Sequence, residues 1–111
     1  MKKYEKVILE LDYTLGIIAY LEIRIKSGRD DHEDNRTQLR ELQNVVSDIC
    51  YRPEVENGSE LFHSLDYLIG LIASTETKVK KGKPIQFIAP QDFADIKRQI
   101  DSIKQEINNE E

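Results

Sequence analysis

A segment that returns 54 residues later constrains this 111-residue chain more than any other feature of it. Leu11-Asp12-Tyr13-Thr14-Leu15-Gly16-Ile17-Ile18-Ala19 lies over Leu65-Asp66-Tyr67-Leu68-Ile69-Gly70-Leu71-Ile72-Ala73. Across positions 11–28 and 65–82, nine of eighteen residues are identical, and Leu15/Ile69, Ile17/Leu71, Arg24/Lys78 and Ile25/Val79 exchange like for like. The register continues without a gap. Leu39, Leu42, Val46 and Ile49 fall over Phe93, Ile96, Ile100 and Ile103, all at steps of three or four, the period of one buried helix face. The unit is a long helix, a loop and a shorter amphipathic helix. Two copies predict an all-α four-helix bundle made by tandem duplication of a helical hairpin, with a pseudo-two-fold axis. Repeat 1 covers about 1–54 and repeat 2 about 55–111, together one domain.

Punctuation sets the expected limits at 2–27, 36–51, 58–81 and 90–108. Gly28 and Gly82 follow basic residues and read as C-terminal caps. Asn35 with Gln38 and Asn57 with Glu60 have capping-box spacing, Pro53 stops the second helix, and Pro90 suits the first turn of the fourth. The one short strand-like run, Ile85-Gln86-Phe87-Ile88, falls in a loop.

On the first helix Asp12, Gly16, Ala19 and Ile23 share a stripe, matched by Asp66, Gly70, Ala73 and Thr77 on the third. A mid-helix glycine costs about 1 kcal/mol relative to alanine. The repeated glycines therefore predict that the first and third helices cross closely, backbone to backbone. Both helices are apolar almost all round, more than the one-faced second and fourth helices cover, so a homodimer is expected.

Composition narrows the function classes. A net charge of −5 is the wrong sign for a duplex nucleic-acid binder. The longest apolar stretch, Leu15 to Leu21, falls far short of the roughly 20 residues that cross a bilayer, and Met1 to Lys6 begins no signal-peptide core. One cysteine, Cys50, forms no internal disulfide and fits a reducing compartment. The expected location is cytoplasmic.

Few residues carry chemistry. Asp12 and Asp66, repeated on apolar helices, are candidate ligand-binding acids with the adjacent Tyr13 and Tyr67. Pairing of each aspartate to a base, a helix end or a tyrosine is the favoured structural account. Glu22 with Lys26, and Glu76 with Lys80, have favourable (i, i+4) spacing. Glu60 and His63 show the Glu-x-x-His spacing of di-metal bundles once only, since the matching positions are Lys6 and Leu9, and the run Asp30 to Asp34 lacks the pattern of a calcium loop. No metal, cofactor or catalytic residue is expected. The loop after the third helix is basic and greasy, with Lys81, Lys83, Ile85, Phe87 and Ile88, where the first copy is acidic. Those five are the candidate partner-binding residues. The resulting expectation is a small non-enzymatic protein-interaction module, an inhibitor or regulator of another protein acting as a homodimer. The alternative is a small-ligand binder or enzyme with its site between the first and third helices.

Overall fold

The computed structural model describes residues 3–26, 32–80 and 90–110. They form four helices, α1 (Glu5–Lys26), α2 (His32–Cys50), α3 (Glu60–Lys80) and α4 (Pro90–Glu110), with no strand among the described residues. Gly28, Gly82 and the Ile85–Ile88 run lie outside the described residues.

Each helix buries one stripe at alternating steps of three and four. On α1 the stripe is Val7, Leu11, Thr14, Ile18 and Leu21; on α3 it is Leu61, Leu65, Leu68, Ile72 and Thr75. Helix α2 contributes Leu39, Leu42, Val46 and Ile49, and α4 contributes Phe93, Ile96, Ile100, Ile103 and Ile107. These side chains join one core. The 54-residue register therefore extends to burial, position by position, as far as Val7 with Leu61 and Leu21 with Thr75. The hydroxyls on these stripes are satisfied inside their own helices: Thr14 donates to the Leu11 carbonyl and Thr75 to that of Leu71.

Neighbouring helices follow chain order around a ring. Helix α2 packs on α1 and α3, and α4 packs on α3 and α1. Polar pairs show that neighbours run antiparallel: Asp12 and Glu22 on α1 meet Lys104 and Lys97 on α4, while Ser64 and Lys78 on α3 meet Gln99 and Asp92. Helices α1 and α3 thus stand on the diagonal. The expected backbone crossing at Gly16 and Gly70 is absent: both glycines are exposed, and a Cβ added to either would meet nothing within 4 Å.

Three helix starts also differ from the sequence reading. Helix α1 begins at Glu5 rather than at residue 2. Helix α2 begins at His32, a turn before the expected position. Asp34 stands in that first turn, where negative charge favours helix. Asn35 is thereby carried inside and is only 1% exposed, on the core stripe one turn before Leu39. Helix α3 begins at Glu60, and its cap is Ser59, whose hydroxyl accepts from the Phe62 amide at 3.1 Å. Gly58, at φ +80°, turns the chain into that cap, so Asn57 falls outside it.

Candidate functional site

The repeated Asp-Tyr pairs do not converge. Asp12 and Tyr13 lie on α1, Asp66 and Tyr67 on diagonal α3, and all four are exposed. Lys104 Nζ donates to Asp12 Oδ1 at 2.6 Å, tying α1 to α4. The position that matches Lys104 in the first repeat is Cys50, and Asp66 is close enough to it to act on its thiol. Burial first, and then the Asp66 charge, push the Cys50 thiol up from about 9.0 to about 11. It stays protonated at neutral pH and is a poor nucleophile. The tyrosines stand on the surface, Tyr13 54% and Tyr67 61% exposed.

Glu22 and Glu76 bridge the halves of the chain. Lys97 on α4 donates to both Glu22 oxygens at 3.1 Å, and Arg40 on α2 reaches the buried Glu76 at 3.4 Å. The side chains of Lys26 and Lys80 lie outside the described residues, as do Lys81, Lys83, Ile85, Phe87 and Ile88. Glu60 and His63 are both exposed, and the His63 ring stands edge-on to Phe62 at 5.9 Å. Among the described residues no group of three or more His, Cys, Asp or Glu is placed to hold a metal ion. No described helix is long and apolar enough to cross a membrane.

What stands out instead is the outer side of α1. Leu9, Tyr13, Tyr20 and Ile23 are 62%, 54%, 43% and 64% exposed, and with Gly16 they form a second stripe at steps of four and three. It is continuous with shallow depressions against α2, one lined by Leu9, Glu10, Tyr13, Val45 and Asp48, the other by Tyr13, Gly16, Ile17, Tyr20 and Gln38. Tyr20 is fixed in place. Its hydroxyl donates to Asp34 Oδ2 at 3.1 Å and accepts from Arg24 Nη1 at 2.9 Å, and the Arg24 guanidinium lies 5.4 Å from its ring centre. Below the stripe, Glu10 pairs with Arg52, which raises the Arg52 pKa further through that hydrogen bond.

The matching outer stripe of α3 has a different chemistry. Leu9, Tyr20 and Ile23 are replaced by His63, Ser74 and Thr77, and only Tyr67 and Gly70 repeat Tyr13 and Gly16. The sequence carries this difference, and it is the signal that distinguishes an outward apolar stripe from a core one. Along the core stripes the matched positions stay apolar in both copies, apart from Thr14 against Leu68, Leu21 against Thr75 and, at the end of α2, Cys50 against Lys104. Comparison with protein-family models, with curated proteins and with solved structures found no match.

Proposed function

We propose that this chain is a small, non-enzymatic, cytoplasmic protein-interaction module, a regulator or inhibitor of another protein that works as a homodimer and docks through the outer face of α1. The observation that carries the reading is the apolar stripe Leu9-Tyr13-Gly16-Tyr20-Ile23, kept apolar where the second copy is polar. Exposed aromatic and aliphatic side chains in a line supply area at small entropic cost, which suits an interface. Tandem duplication of a hairpin accounts for how such a face arises. Once two copies share one core, the outer side of each is free to diverge without loss of packing. The 54-residue register in both sequence and burial supports that origin.

The test compares the wild-type chain with a Leu9→Gln/Ile23→Gln variant, both checked for helical content, as baits for affinity capture and for chain self-association. Partners retained by the wild type and lost with the variant support the reading. An identical set on both baits, with unchanged self-association, contradicts it. A small-ligand site between α1 and α3 finds no specific support, because the diagonal placement separates its proposed residues.

A further inference from the structure

We infer that the occupant of the outer α1 face is a second copy of the same helix, docked antiparallel about a two-fold axis at Gly16. The inference rests on the interaction-module reading and deepens it by naming the occupant and its register.

The stripe is a palindrome in chemistry. Tyr13 and Tyr20 stand three before and four after Gly16, and Leu9 and Ile23 stand seven residues to either side. In an antiparallel pair centred on Gly16, a residue a given number of steps after the centre lies level with the residue that many steps before it on the other copy. Leu9 then lies level with Ile23, and Tyr13 lies one residue off level from Tyr20, twice each by symmetry, as an isologous contact requires. Charges obey the same register. Glu10 lies six residues before the centre and Arg24 eight after; at about 100° per residue both fall on one flank of the stripe. Each Glu10 therefore comes level, within two residues, with the Arg24 of the other copy, opposite charges that are each already held within their own chain, Glu10 by Arg52 and Arg24 by Asp34.

Gly16 supplies the approach. A Cβ built there meets nothing within 4 Å in the chain, so the glycine has no intramolecular packing reason. At a helix crossing, its missing side chain lets two backbones come close. The face is about 21 Å long. Its four large side chains offer about half of the ~800 Å² per partner that a standard interface buries. A dimer of modest affinity is expected, closed rather than extended, because the matching α3 stripe is polar and offers no second apolar seat.

The test uses the full chain in a Cys50→Ala background with single cysteines introduced at exposed positions and mild oxidation, read on non-reducing gels beside light scattering of the wild type. Gly16→Cys is expected to give a disulfide dimer that 8 M urea present during oxidation abolishes, about tenfold faster than Tyr67→Cys, the control on α3. Because a side chain at Gly16 itself perturbs the crossing, a second measurement mixes Tyr13→Cys with Tyr20→Cys chains. These should link to each other several-fold faster than either links to itself. A dimer by light scattering without that preference, or with Tyr67→Cys linking equally fast, overturns the register and leaves the interaction module standing. A chain monomeric at every concentration, whose Leu9→Gln/Ile23→Gln variant nevertheless loses a captured protein, overturns self-docking and the homodimer with it, and leaves the outer α1 face as a dock for another protein. Monomer together with no stripe-dependent capture overturns both.

Discussion

Individual residues divide into those that serve the folded chain and those that it does not explain. Gly70 belongs to the second kind: it is exposed in mid-helix, with open space where a Cβ would lie. Gly70→Ala is expected to raise stability by about 1 kcal/mol in urea unfolding. Gly16→Ala should stabilise the separate chain similarly but weaken association, so the two glycines part only in the concentration-dependent measurement. Asn35 is a local conflict. Its amide is buried and neither Oδ1 nor Nδ2 has a hydrogen-bond partner among the described residues. Asn35→Leu, which removes a desolvated polar group at similar shape, is expected to stabilise by about 1–3 kcal/mol; a loss of stability would show that the amide is satisfied. Cys50 sets a pH dependence with a definite sign. Its thiol is held protonated to about 11 in the fold, against about 9.0 when unfolded. Above pH 9 the unfolded chain loses that proton while the folded chain keeps it, so this contribution to stability falls as pH rises through 9 and levels off beyond 11. Comparing wild type with Cys50→Ala by denaturant melts from pH 8 to 11 isolates it: the wild type should lose more stability over that window than the variant.

At the scale of single helices, the sequence makes the elements legible and leaves their orientation open. Steps of three and four name the core stripes of α2 and α4 directly, because those helices have one apolar side. Helix α1 has two: Val7, Leu11, Ile18 and Leu21 turn inward, while Leu9, Tyr13, Tyr20 and Ile23 turn outward. Periodicity marks both stripes equally, and only the packing ring decides which side faces neighbours. That is why the glycine stripe reads as a crossing in sequence and proves to be a surface in the fold. Helix ends are legible to within a few residues, and the misses are local competitions. Asp34 in the first turn favours a start of α2 ahead of Asn35, and Ser59 outcompetes Asn57, its hydroxyl accepting from the Phe62 amide after the left-handed turn at Gly58. Ser59→Ala should therefore cost about 1 kcal/mol, and Asn57→Ala almost nothing. Equal costs in thermal melts would place the cap at Asn57 instead.

For the whole molecule, the two halves of the chain match along their core stripes and differ outside. Phe93 stands where Leu39 does, Ile96 where Leu42 does, and Glu22 and Glu76 each bond a helix from the other half of the chain. The seams between α1 and α4 and between α2 and α3 are therefore tied alike, while Lys104 beside Asp12 has Cys50 as its counterpart near Asp66. The proposed function rests on the differences: a greasy outer α1, a polar outer α3, and a pair of loops of opposite sequence character that lie outside the described residues. The candidate site was written in the sequence as Leu9, Tyr20 and Ile23 against His63, Ser74 and Thr77, yet it becomes readable only once the fold shows that those positions look outward. Sedimentation velocity of the wild-type chain and of Leu9→Gln/Ile23→Gln, across the micromolar range, tests that claim most directly. A sedimentation coefficient that rises with concentration to the dimer value for the wild type, and stays at the monomer value for the variant, is the expected result; the same concentration dependence in both chains would contradict it.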